Sequence, residues 1–350
     1  MNRIEFIKPL DGESMKKAQI RWNNVAKPLH SLGLLEKTVI QLAGIIGSDE
    51  IDIGKRCVVD MCADNGVVCE GVTQTDSSVT AVVAKAMAEG RSSINRLADR
   101  YNADVVPVDI GMNSSVQTEG ILQRKIACGT GNIAAGSAMT AEQAKKAIAA
   151  GMDIVRDCAE KGYKVIVTGE MGIGNTTTSS ALAAVILGEA AADVTGRGAG
   201  LDNKGLARKT AVIERAIAVN KPDVSDPVGL LAKLGGFDIA GMAGLFLGGA
   251  VYRVPVVIDG FISAVSAAIA ALINPLAKDY SVCSHVSKEP AGMKMLDYLE
   301  KKPLITAEMC LGEGTGGIML LPLLDGALEV YNSAHKFDEL PMKKYEDFEC

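Results

Sequence analysis

Four short β-branched runs punctuate the chain, and each ends near a glycine or an aspartate: RCVVDMCADNG (56–66), DVVPVDIG (104–111), KVIVTGEMG (164–172) and VPVVIDGF (254–261). Continuous apolar runs of this length, bounded by turn residues, predict buried strands that each lead into a loop. The segments between them are amphipathic or alanine-rich at helical spacing. Thr140 and Gln143 form a capping-box signature before AEQAKKAIAAGMDIVRDCAEK, which predicts a helix to about residue 161. Asp76 or Ser77 is placed to cap a second helix running to Gly90. The most apolar region, 239–275, is interrupted by Arg253 and Asp259 and reads as helix, strand and helix, not as a membrane span. A strand is also predicted before the polar loop CSHVSKEPAG (283–292).

Strands alternating with helices at this spacing predict a mostly parallel, Rossmann-like α/β sheet flanked by helices. Ligands of such sheets sit at the carboxyl ends of the strands, where Asp64, Asp109, Glu170 and Asp259 are expected to converge. Residues 1–24 and 291–350 are richer in Lys and Glu. They are expected to form a smaller, mainly helical lobe built from both termini, with the Glu313 loop returning to the cleft of a large domain, 25–290.

Charge and composition narrow the function. The net charge is −6, no basic block occurs, and aromatics make up 4% of the residues, which disfavours a nucleic-acid surface. Phosphate recognition would then fall to backbone amides and a few cations. Eight cysteines without a CxxC pair and three scattered histidines argue against a metal site and for reduced thiols, hence a cytoplasmic location. The N-terminus carries acidic residues early and no apolar run, so it is not read as a signal peptide.

The richest local signal is VTGEMGIGNTTTSSALAAVIL (167–187). A strand leads into Gly169, Gly172 and Gly174, then Asn175, three threonines and a helix, whose start suits an anion. A plainer reading has the glycines serve helix–sheet packing alone. No Gly-Lys-Ser/Thr follows, and Thr177 takes the last glycine place of G-x-G-x-x-G, which weakens a dinucleotide site. TGRGAGLDNKGLARK (195–209) sets Arg197, Lys204, Arg208 and Lys209 among glycines; most such charges are solvated. His285, beside Ser284 and Ser287, is read as a structural hydrogen-bonder. Asp259 either caps a helix or meets substrate. In EMCLGEGTGGIMLLP (308–322), Glu313 is a carboxylate among glycines and apolar residues, a setting that resists ionisation. Carboxylates, amides, hydroxyls and a few cations fit metal-free transfer of a phosphorylated sugar better than hydrolysis by a nucleophilic serine.

Longer blocks occur in order: KPLHSLGLLE (27–36), ADNGV with EGVTQ (63–74), CGTGNIAAGSAMT (128–140), GEMGIGNTTT (169–178), TGRGAGLDNKGLARK, GGFDIAGMAG (235–244), VVIDGF (256–261), SHVSKEPAG (284–292) and LGEGTGG (311–317). By these the chain resembles the nicotinate-nucleotide:dimethylbenzimidazole phosphoribosyltransferase family over nearly its whole length. The resemblance implies transfer of 5-phosphoribose from nicotinate mononucleotide to an aromatic base, inverting to an α-riboside for cobamide synthesis. It implies Glu313 as general base. Glu170 is the candidate on the ribose side. The phosphate is expected against Gly172, Gly174, Asn175 and Thr176, with Lys209 and Ser287, and the base among Thr80, Val82, Val83 and Leu311. No cofactor, metal or membrane is implied, and the expected assembly is a homodimer or a heterodimer with a homologous subunit.

Departures from the family pattern concentrate on the base side. Asn65 stands in an Asp-His-Gly position, His30 in a Lys-Pro-x-Gly-Ser stretch, and Val82–Val83 where a Gln-Met pair is usual. The acceptor is therefore left open among dimethylbenzimidazole, other benzimidazoles, purines and phenols. Two alternatives stand beside this reading: a subunit that needs a homologous partner, and an NAD-dependent oxidoreductase resting on the imperfect glycine pattern.

Overall fold

A computed structural model describes residues 3–114 and 118–345. Its strands are β1 (Arg56–Ala63), β2 (Ala103–Gly111), β3 (Leu122–Gln123), β4 (Val165–Met171), β5 (Val256–Ile258) and β6 (Ser281–Cys283). They form one sheet in the order β3-β2-β1-β4-β5-β6, and every neighbouring pair is parallel. The chain moves outward from β1 to β3, then returns to the other side of β1 to lay down β4. The crevice at that reversal, beyond the carboxyl ends, is where such folds hold ligands.

The apolar runs form strands because they can be covered on both faces, and β1 is buried along its whole length. The helix Ala141–Glu160 starts as its signature predicts: Thr140 Oγ1 accepts from the Gln143 amide at 3.1 Å and Gln143 Oε1 accepts from the Thr140 amide at 2.9 Å. Asp76 takes the amide of Ser78 at 2.8 Å ahead of the helix Ser78–Ala88, whereas the Ser77 side chain makes no capping bond. Region 239–275 resolves into the helix Phe237–Tyr252, β5 and the helix Phe261–Ile273. β3 has no counterpart among the predicted strands, because two residues carry no readable periodicity.

Two helices approach unusually closely. A Cβ on Gly151 would collide with the carbonyl of Gly241, and one on Gly244 with the carbonyl of Ile148, so Ala141–Glu160 and Phe237–Tyr252 meet backbone to backbone. The ends of the chain also meet. The helix Leu34–Ile46 packs on both Gly12–Asn24 and Leu321–Ser333. The rings of Trp22 and Tyr331 stand 5.0 Å apart, and Val25 bridges Lys336 antiparallel. Among the described residues no helix is long and apolar enough to cross a membrane.

The four expected carboxylates do not all converge. Glu170 and Asp259 reach a common cavity at the ends of β4 and β5. Asp64 and Asp109 turn aside into the β1–β2 loops: Asp64 Oδ2 accepts from the Asn113 amide at 2.7 Å, and Asp109 pairs with Lys125 at 3.0 Å. The reason is local, since each carboxylate ties a loop, although Asp64 Oδ1 stays buried without a partner.

Candidate active site

The cavity has a volume of about 290 Å³. Its floor is the start of the helix Asn175–Leu187, where Gly174 adopts φ +93°, a left-handed conformation that favours glycine. Gly172, Asn175 and Thr176 line it. The amides of Ile173 and Asn175 are engaged, by Thr80 Oγ1 at 3.3 Å and the Gly172 carbonyl at 3.0 Å. An anion at this floor therefore meets the helix dipole with only part of the predicted amide set. Gly174 itself stands outside the lining.

Lys209 is fully buried behind the floor, and its Nζ donates to Thr176 Oγ1 at 2.9 Å and to the Gly196 carbonyl at 3.1 Å. Burial lowers its pKa to about 8, with Glu289 pulling the other way. It touches the cavity through Thr176. Ser287 and Glu289 also line the cavity, and Glu289 lies against Gly196 on the Lys209 side. The neighbouring cations do other work: Arg197 donates to the Leu201 carbonyl at 2.8 Å and Arg208 to that of Gly71 at 2.8 Å.

Two glutamates line the wall. Glu170 ends β4 and accepts from Asn175 Nδ2, which also donates to Asp238 Oδ2 at 3.0 Å. Burial pushes Glu170 well above the ordinary glutamate range; the charges of Asp238, Asp259 and Asp60 add to this, and the Asn175 hydrogen bond opposes it. Glu313 arrives from the far end of the chain. A Cβ on the preceding Gly312 would lie 2.6 Å from Glu170 Oε1, so the two loops are in contact. Gly312, Glu313 and Gly314 have φ of +89°, +57° and +73°, a run of left-handed backbone that turns the glutamate inward. Burial raises the Glu313 pKa, the Ile94 amide opposes this, and Asp259 reinforces it. Its Oε2 is buried with no hydrogen-bond partner.

The expected base-side residues separate. Val83 lines the wall, half-buried, and Leu311 lines the cavity while 56% exposed. Thr80 is buried behind Ile173, and Val82 is 65% exposed and does not reach the lining. Asn65 is buried against Gly174 and Gly236, and neither it nor His30 lines the cavity.

Three acids and a histidine complete the setting. Asp259, left open between helix cap and substrate contact by the sequence, accepts from the Gly317 amide at 2.7 Å, which anchors the segment after Glu313. Asp238 and Asp60 have no role in the sequence reading. Asp238 is pushed up to about 6 by burial and orients Asn175. Asp60 lies mid-β1 against Gly169, both carboxyl oxygens unpaired, and burial reinforced by Glu313 raises its pKa well above the ordinary aspartate range. Its signal is present in the sequence: a charge inside VVDMC interrupts a buried strand. His285 meets Ser284 Oγ at 3.1 Å through Nδ1 and also lines the cavity.

Comparison with known proteins identifies the family. A family model described as phosphoribosyltransferase matches residues 7–340. A nicotinate-nucleotide–dimethylbenzimidazole phosphoribosyltransferase of Ruminiclostridium cellulolyticum is 46% identical over 346 residues, 99% of this chain and 98% of that protein. One of the same name from Clostridium acetobutylicum is 43% identical over 344 residues, 98% of each. The crystal structure of CobT from Thermus thermophilus superposes with a TM-score of 0.89 at 34% identity, covering 93% of this chain and 98% of that one. With the match running from end to end, the chain belongs to the nicotinate-nucleotide–dimethylbenzimidazole phosphoribosyltransferase family.

Proposed function

We propose that the protein transfers 5-phosphoribose from nicotinate mononucleotide to an aromatic base, giving an α-riboside 5′-phosphate. The observation that carries this is the contact between the Glu170 and Glu313 loops on the wall of a cavity whose floor is a helix N-terminus backed by Lys209. The phosphate rests on the floor, held by the Thr176 hydroxyl, Lys209 and Ser287. That tether brings C1′ of the ribose towards the two glutamates.

In the transfer, the bond from C1′ to the nicotinate ring nitrogen breaks and a bond from C1′ to the acceptor forms on the opposite face. Nicotinate leaves as its pyridinium becomes a neutral pyridine, so the leaving group needs no proton. The acceptor gives up its proton to Glu313, which burial makes a stronger base than an ordinary glutamate. Burial raises the Glu170 pKa, while the Asn175 hydrogen bond favours its carboxylate. As positive charge develops on the ribose, the attraction of that carboxylate grows towards the transition state.

The acceptor sits against Val83 and Leu311, with Met171 and Met309 also on the cavity lining. An apolar wall of this kind takes a flat ring and offers few polar contacts to select among rings. Incubation with nicotinate mononucleotide and a panel of benzimidazoles, purines and phenols tests both parts. Release of nicotinate with formation of an α-riboside phosphate is expected for several acceptors. No nicotinate release with any of them overturns the function, and turnover of dimethylbenzimidazole alone overturns the permissive pocket.

A further inference from the structure

His285 is held in one orientation and one protonation pattern by its neighbours. It follows β6, is 3% exposed, and its Nδ1 lies 3.1 Å from Ser284 Oγ. Ser284 has a single hydroxyl proton, and it is committed to backbone carbonyls, at 2.6 Å to Ile258 and 3.2 Å to Asp259. In the contact with His285 the serine oxygen must therefore accept, which puts the ring proton on Nδ1. Burial lowers its pKa and so favours the neutral ring, although Asp259 opposes this. A bare lone pair is left on Nε2, and among the described residues no hydrogen bond engages it.

Packing then aims that lone pair. The ring lies flat on Gly316, where a Cβ would overlap its atoms. A Cβ on Gly260 would stand 3.6 Å from Nε2 and 3.7 Å from the Ser287 side chain, so this edge of the ring lies beside Gly260 and Ser287, both on the cavity lining. A lone pair there needs a donor. An ionised phosphate offers no proton, and the nicotinate carboxylate offers none. The acceptor's own proton is required at Glu313. Among the groups of the two substrates, only the ribose hydroxyls remain.

We infer that His285 binds the phosphoribosyl donor by accepting a hydrogen bond from a ribose hydroxyl at Nε2, fixing the rotation of the sugar about its phosphate tether. The assignment rests on the transfer reaction proposed above. A pinned acceptor of this kind distinguishes ribose from deoxyribose, because a donor lacking the hydroxyl leaves the buried ring unpaired.

The test compares nicotinate mononucleotide with its 2′-deoxy and 3′-deoxy counterparts at saturating acceptor, in the wild type, His285→Asn and His285→Gln. Asparagine reaches only the Nδ1 position and keeps the Ser284 contact; glutamine reaches the Nε2 position. The wild type is expected to lose about ten- to hundredfold in kcat/KM on one deoxy donor. His285→Asn should fall by a similar factor on the ribosyl donor and ignore removal of that hydroxyl, while His285→Gln keeps the discrimination. Equal loss on all three donors in His285→Asn, or no discrimination by the wild type, overturns the inference. Failure of the wild type to release nicotinate from the ribosyl donor overturns the reaction itself, a separate result. A readout needing no variant is the ring ¹⁵N spectrum, tractable with three histidines. It should show the Nδ1–H tautomer and an Nε2 signal that moves on adding nicotinate mononucleotide; an Nε2–H tautomer sinks the assignment.

Discussion

Glu313 sits in left-handed backbone at φ +57°, a conformation that costs a non-glycine residue free energy and persists where surrounding structure enforces it. Here the enforcement is visible: Gly314 lies against Val58 and the Thr168 carbonyl, and the Gly317 amide is tied to Asp259. Replacing Glu313 with Gln keeps this shape and removes the base. It is expected to lower kcat by about 10²–10⁴-fold in steady-state kinetics while the KM for nicotinate mononucleotide stays near its original value. The pH profile follows from two groups of opposite requirement. Glu313 must be ionised, so activity rises with pH through a value that burial places above the ordinary glutamate range. Lys209 must be protonated to hold phosphate, so kcat/KM falls as pH passes about 8 in the free protein. Bound phosphate favours the charged lysine, so the fall in kcat itself should come later. Lys209→Met should abolish the alkaline limb and act mainly on KM; a limb that persists unchanged would assign it elsewhere.

At the scale of elements, periodicity and turn chemistry were readable because strands and caps are local. The Thr140 box is one example: its two hydrogen bonds involve residues three apart, so sequence alone specifies them. Thr140→Ala is expected to cost about 0.5–2 kcal/mol in denaturant unfolding without changing kcat, because the cap lies on no wall of the cavity. Helix pairing was less readable. Gly151 and Gly244 are ordinary helix glycines in sequence, yet each excludes a Cβ because another helix's carbonyl occupies the space. Gly244→Ala must push two helices apart and should destabilise by about 1–3 kcal/mol, read as a lowered denaturant midpoint. Unchanged stability there would mean the helices can separate freely.

The whole molecule joins its two ends beside the Leu34–Ile46 helix. Trp22 is fully buried, its ring tilted 58° to that of Tyr331, with Lys27 Nζ 5.1 Å from its centroid. Truncation, Trp22→Ala, is expected to cost about 3–5 kcal/mol in a reversible unfolding measurement. The strand order also bears on the oxidoreductase alternative, since dinucleotide-binding folds share it. The cavity chemistry favours sugar transfer instead, and fold alone does not select a reaction.

By itself the sequence determined what depends on neighbours a few residues apart: the buried strands, the capped helices, the glycine-bearing helix start and, through long ordered blocks, the family. Only the tertiary structure decided which carboxylates share a cavity. It brought Gly312 onto Glu170 from a distant part of the chain, set Lys209 behind Thr176, and turned Asp64 and Asp109 away. It also decided protonation, because the pKa values of Glu170, Glu313 and Lys209 are shifted chiefly by burial, and burial is a property of the folded packing and not of the local chain.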